Sequence, residues 1–263
     1  AEQAFDRDSR ALADEAVSFL LGAARDGGAS VATVRRALNG LAALVDRCPA
    51  SLRKSAAHAS TLSVALATAD DDDWSVRSAS TLAFSAVLRR LKSDDRVHTA
   101  ARSLDHADCG ALATFPGLGA ALEAVPPTPT ATFFALKVMA RIGAGPPSGR
   151  LLARAALESG DARCRKAAAA ALATLEGDLD PRELLEPGPS PLDPNSAHGT
   201  LLACRALFLR RPAREDDRTL LATFVTPLLP RTWAGVWCPL VHLEAHALLR
   251  ETETAGTATT EAE

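Results

Sequence analysis

Three observations predict an all-α fold. The apolar material, 47% of 263 residues, is carried mostly by Ala, Leu and Val, while aromatic residues make up only 4% and isoleucine occurs once, at Ile142. Ala and Leu favour helices, and the aromatic residues that favour strands are scarce. The apolar residues also recur at three- and four-residue spacing over long windows, and Gly, Pro, Ser and Asp fall between those windows, where helices start and stop.

In chain order, Leu12, Val17, Leu20, Leu21 and Ala24 give a helix over residues 8–26, stopped by Gly27-Gly28. Ser30 caps a second helix to about Asp46. Pro49 opens a third, with Ser51, Leu52 and Arg53 in its first turn and Leu62 and Leu66 further on. Asp70-Asp71-Asp72-Asp73 then precede a helix from Trp74 to about Lys92. Residues 94–106 read as a short helix, 107–125 as an irregular helical stretch broken at Pro116-Gly117-Leu118-Gly119, and Pro126-Pro127 as a stop. A strongly apolar helix containing Phe133, Phe134, Leu136, Val138 and Met139 ends at Gly143 and Gly145. Pro146-Pro147 starts another, reaching about Ser159, and a further helix covers Asp161–Leu175. The stretch 186–195, EPGPSPLDPN, is an expected loop or hinge. Helices resume at 196–211, 214–229 and 232–250, and the tail 251–263, without apolar periodicity, is expected to be disordered.

The stretch DARCRKAAAAALATL carries a recognisable pattern: an apolar residue followed at once by Arg, then Ala, Leu and small residues at set places, here Cys164, Arg165, Ala168, Ala169, Ala171, Leu172, Ala173 and Leu175. Small residues on one face let a neighbouring helix approach closely, and the leucines fill the remaining layer. This resembles the second helix of a HEAT-type repeat. Val34-Arg35 and Val76-Arg77 fall on the same template, with Ser80 and Thr81 in place of two alanines. The apolar-Arg positions lie 42 and then 88 residues apart, the second being twice 44, which is the spacing of stacked helix pairs. The resemblance covers roughly 30–92 and 146–176 and fails near 120. It implies a right-handed superhelix, a solenoid of about six helix pairs forming a single domain over 1–250.

A net charge of −3 and a pI near 6.1 argue against bulk attraction to nucleic acid or an anionic membrane. A local patch stays open. No apolar run is long enough to span a bilayer. Cys48, Cys109, Cys164, Cys204 and Cys238 are scattered and never arranged as CxxC, as expected of small buried residues in a reducing, cytoplasmic setting. The chain carries no GxSxG, GxxxxGK[ST], HExxH or GxGxxG signature.

The aspartates at 70–73 read as helix caps rather than a cation loop, which needs alternating ligands and a later Glu. Cys238, His242 and His246 recur every fourth residue, but three ligands spread over two turns cannot all reach one ion, so no metal is expected. His106-x2-Cys109 is weaker still. Trp233 and Trp237, also four apart, would share a helical face, as an interface anchor or as a seal over the end of the array. Arg35, Arg77 and Arg165 either pair with acidic residues of an adjoining repeat or line a concave face that grips an acidic partner.

The HEAT resemblance implies a non-enzymatic scaffold holding a protein or peptide on its concave face, with Arg35, Trp74, Arg77, Arg165, Trp233 and Trp237 as the binding candidates and no cofactor. The alternative is nucleic-acid binding, by resemblance to HEAT-like glycosylases of alkylated DNA, which carry Trp and Asp on that face. A third reading, pigment chemistry, follows from similarity to phycobilin-lyase-type repeats.

Overall fold

The computed structural model describes residues 2–47, 56–92, 112, 115–176, 179–185, 193–210, 215–229, 232–233 and 236–260. Among them are twelve α-helices: α1 (Glu2–Arg25), α2 (Val31–Arg47), α3 (Ala57–Ala67), α4 (Trp74–Lys92), α5 (Leu118–Glu123), α6 (Pro129–Ile142), α7 (Pro147–Ala156), α8 (Ala162–Leu175), α9 (Pro181–Leu185), α10 (Pro194–Phe208), α11 (Glu215–Val225) and α12 (Pro239–Thr260). The only sheet among them is a two-rung antiparallel ladder, β1 (Thr232–Trp233) with β2 (Val236–Trp237). The all-α expectation therefore holds. None of the described helices is long and apolar enough to cross a membrane.

The chain divides into two compact units, residues 1–149 and 150–263, with the boundary within α7. In the first unit, α2 packs on α1 and α4, α4 packs on α3 and α6, and α3 also meets α1, α5 and α6. Its core holds Leu38, Leu41, Leu62, Leu91, Leu118, Leu136 and Met139, all essentially without solvent contact. Phe84 of α4 stacks flat on Phe134 of α6, ring centroids 4.0 Å apart. Ser80, at an alanine position of the template, is fully buried, yet its hydroxyl lies 2.9 Å from the Val76 carbonyl and 3.0 Å from that of Thr68, so the close approach of α3 leaves no orphaned polar group there.

In the second unit α10 is the central helix, packed on α8, α9 and α12, while α11 meets α9 and α12. Its core joins Leu185, Leu201, Cys204, Leu221, Phe224, Val225, Val241 and Leu248. The alanine face of α8 is buried at Ala167, Ala168, Ala169, Ala171 and Ala173, as the sequence pattern requires.

The punctuation acts as read. Ser30 Oγ accepts the Thr33 amide at the start of α2, Asp161 caps α8, and Gly143, at φ 69°, ends α6 with its amide on the Met139 carbonyl. Differences lie at three places. The last helix begins at Pro239, not near 232, because proline at the first helical position sets the start. Its backbone runs on to Thr260, past the boundary expected at 250. Pro194 and Asn195 open α10 rather than closing the preceding loop, with Asp193 as cap. The opening of the third helix expected from Pro49, with Ser51, Leu52 and Arg53, the short helix at 94–106 and most of the 186–195 loop lie outside the described residues.

Asp70 makes the longest-range of the caps. Its carboxylate accepts the Thr130 amide at 3.2 Å and the Thr130 hydroxyl, closing the N-terminus of α6 from a loop sixty residues earlier. Burial alone would raise its pKa, but donors at the start of α6 outweigh this and hold it below the usual carboxylate range. The folded value lies below the unfolded one, so the contribution is present above pH ~4 and lost as pH falls through the folded value. Asp70→Ala is expected to cost about 1 kcal/mol. In urea titration the gap between variant and wild type should narrow below pH ~4; a constant gap down to pH ~2 would contradict the assignment.

Candidate functional site

The chemistry of the first unit concentrates on α2, α4 and α6. These helices run parallel. Near their C-terminal ends, Arg89 of α4 pairs with Asp46 of α2 at 3.2 Å and Arg90 Nε donates to the Val45 carbonyl. Near the opposite ends, Arg35 of α2 lies close enough to Asp73 to act on its carboxylate, and Asp70 holds the start of α6. With α3 behind α4, and with α2 and α6 at its flanks, the remaining face of α4 points to solvent. On it are Trp74, Ser78, Thr81, Leu82 and Arg89, the first being 72% exposed and Leu82 55%. The neighbouring outward residues are Arg35, Arg36 and Asn39 on α2, and Lys137 with half-exposed Phe133 on α6.

The charge of this layer is one-sided. Neither α4 nor α6 contains an acidic residue, and α2 contains only Asp46, which Arg89 and Arg90 engage. Arg47, Arg89, Arg90 and Arg141 sit at the C-terminal ends of their helices, where they offset the negative end of the dipole. Arg36 and Lys137 have no such role. At the N-terminal end the sign reverses: Asp71, Asp72 and Asp73 lie just before Trp74. Hydrogen bonds from the Ser75 hydroxyl and amide, with a smaller contribution from Arg35, hold Asp73 below the usual carboxylate range, so it remains an anion.

The second unit has a buried clasp. Arg165, on the fourth residue of α8, is 3% exposed. Its Nε donates to His198 Nδ1 at 3.0 Å, and Nη1 donates to Asn195 Oδ1 at 2.8 Å and to the Ser159 carbonyl. His198 must therefore keep Nδ1 unprotonated. Burial, and then the Arg165 cation beside it, push its pKa down to about 4. The cap carboxylates Asp161 and Asp193 lie near enough to offset the burial of the guanidinium in part. Because the folded value is depressed, the stability is fully present above the unfolded pKa of about 6.5 and is lost as pH falls from there towards 4. A loss on the order of 3 kcal/mol over that window is expected, and His198→Gln should flatten it. Urea midpoints taken between pH 7 and 4 test this; equal slopes in wild type and variant would refute it.

Of the six sequence candidates, Trp74 and Arg35 are exposed. Arg77 is exposed, but its Nη1 donates to the Asp71 and Asp72 carbonyls, fastening the loop before its own helix rather than an acidic group of a neighbouring one. Arg165 is corrected: it lies inside its unit, bound to neutral acceptors, and presents no surface to a partner. Trp233 and Trp237 do not share a helical face, since their backbones occupy successive rungs of the β1–β2 ladder; their side chains lie outside the described residues. The aspartate run acts in caps and turns: Asp73 accepts from Ser75, Asp71 from the Asp73 amide and Asp70 from Thr130.

Among the described residues no three His, Cys, Asp or Glu converge as metal ligands. His242 and His246 meet edge-on at 4.6 Å, with Cys238 just before the helix that carries them. His106 and Cys109 lie outside the described residues.

Sequence reasoning missed His198, Asn195 and Gly199. The last had a signal, a glycine in the interior of an otherwise strong helix. Comparisons with protein-family models, curated proteins and solved structures return no match for this chain.

Proposed function

We propose that the chain is a non-enzymatic interaction scaffold, built of HEAT-like stacked helix pairs, that holds a protein or peptide on the outward faces of the second helices. The observation carrying this is Trp74, 72% exposed on the solvent face of a helix supported on three sides. Large aromatic residues left on a rigid surface are the usual anchors of protein interfaces. The packing order supports the architecture: alternate helices α2, α4 and α6 neighbour one another in one unit, and α8, α10 and α12 in the other, as stacked pairs require.

The test is affinity capture from the source cell's lysate in nuclease-treated and untreated halves, with wild type and Trp74→Ala as baits. Trp74→Ala should keep the wild-type melting temperature. A defined protein retained after nuclease by the wild type, and lost by the variant, is the expected result. Recovery of nucleic acid, with proteins lost after nuclease, would sink this reading and favour a nucleic-acid function.

A further inference from the structure

We infer that the partner segment recognised by α2, α4 and α6 is acidic and amphipathic: a bulky apolar side chain seated against Trp74, followed by carboxylates that lie over Arg36 and Lys137. This rests on the scaffold reading and deepens it by naming the chemistry of what is bound. Three features of the face select that ligand.

The first is charge. Helices α4 and α6 carry no acidic residue, α2 carries one that is already engaged, and the whole chain is nonetheless net negative at −3. Nine of the chain's 29 Lys and Arg fall on these three helices against that single acid, and Arg36 and Lys137 are exposed on the helices flanking α4. An acidic segment gains from both. The second feature is the apolar surface at the N-terminal end of the layer, where Val31, 48% exposed, and Trp74 begin parallel neighbouring helices and Leu82 lies two turns further along. Eight residues of helix place Leu82 about 12 Å beyond Trp74.

The third feature decides between classes of macromolecule. Asp71, Asp72 and Asp73 border Trp74, so a phosphodiester strand stacking a base there would bring its phosphates against three carboxylates. Val31 and Leu82 would also gain nothing from a phosphate backbone. A peptide meets both ends, because apolar and anionic groups can alternate along it in whatever order the surface demands. Lys137, about two turns into α6, sets the polarity: apolar residues at the Trp74 end, acidic residues towards the C-terminal ends of the helices.

The experiment is selection of a random twelve-residue peptide phage library on the full chain, with the Arg36→Glu/Lys137→Glu variant as the counter-selection. Enriched sequences should be net negative and contain an aromatic residue or leucine. Synthetic versions should bind at least tenfold more weakly to Arg36→Glu/Lys137→Glu and to Trp74→Ala, and more weakly at raised salt. Both variants change only exposed residues, so unchanged circular dichroism and melting curves accompany the result. Peptides that need Trp74 but are neutral or basic would overturn the acidic assignment and leave the scaffold reading standing. Failure to enrich any peptide that depends on this face would remove both. A twenty-nucleotide oligothymidylate that binds with a steep salt dependence, and is lost with Trp74→Ala, would overturn the inference in favour of nucleic acid.

Discussion

Gly199→Ala should unfold or severely loosen the second unit. A Cβ built at this position would stand 2.0 Å from the Leu157 carbonyl oxygen, 2.7 Å from the carbonyl carbon and 3.0 Å from the Leu157 Cα. All three are backbone atoms, which cannot swing aside as the end of a side chain does. One methyl group therefore has to push α10 away from the chain leaving α7 by more than 1 Å, a displacement on the scale that costs well-packed cores roughly 3 kcal/mol or more. The damage does not stay local, because His198 and Asn195 on the same helix, and Ser159 two residues past Leu157, are the acceptors of Arg165. Hydrogen exchange followed by mass spectrometry should show lost protection over 157–175 and 194–208, with peptides from α2 and α4 far less affected. A melting temperature within ~2 °C of wild type would contradict this close approach.

Arg165→Met is expected to cost about 3 kcal/mol although methionine fills similar space. The lost charge is not the reason, since discharging a buried cation relieves desolvation. Rather, His198 Nδ1, Asn195 Oδ1 and the Ser159 carbonyl would each lose a donor inside the fold. Lysine should rescue little, because one ammonium cannot reproduce the planar fork that reaches two helices and a turn. The combination Arg165→Met/His198→Leu removes donor and acceptor together and should recover part of the loss. Urea denaturation of the four proteins in this cycle measures the coupling. Additive losses, or an Arg165→Met as stable as wild type, would show that the guanidinium does not hold α8 to α10.

These two residues mark where the sequence could be read and where it could not. Helix boundaries followed from local chemistry, since Ser30, Asp73, Asp161 and Gly143 act on their own helices. The fate of Arg165 depends on residues thirty and thirty-three positions later, which no local spacing encodes. Its template position drew notice to it, while its partners proved to be an imidazole, an amide and a carbonyl instead of a carboxylate. Trp74 was legible because it stands two residues before Val76, where the buried face of Val76, Ala79, Ser80 and Ala83 begins, and so falls on the opposite side of the helix by periodicity alone. Trp233 and Trp237 were misplaced because a four-residue spacing has meaning only within a helix, and Pro239 begins that helix after both. The surface shared by α2, α4 and α6 was invisible from single residues; it emerged when packing set side by side three helices whose one acidic residue, Asp46, is already engaged.

The Asp70 cap has a consequence for how the molecule is made. The helix it closes cannot receive its terminal acceptor until the turn after α3 has settled against it, so the first unit contains an instruction about sequence of assembly. During synthesis the residues up to α4 emerge before α6 and can present a finished docking edge to it. A fragment holding α6 alone, for instance residues 126–145, should be only weakly helical, and a fragment that begins at residue 56 should restore the helix. Growth would then proceed as on a crystal face, each added layer completed by a group that the layer beneath already displays.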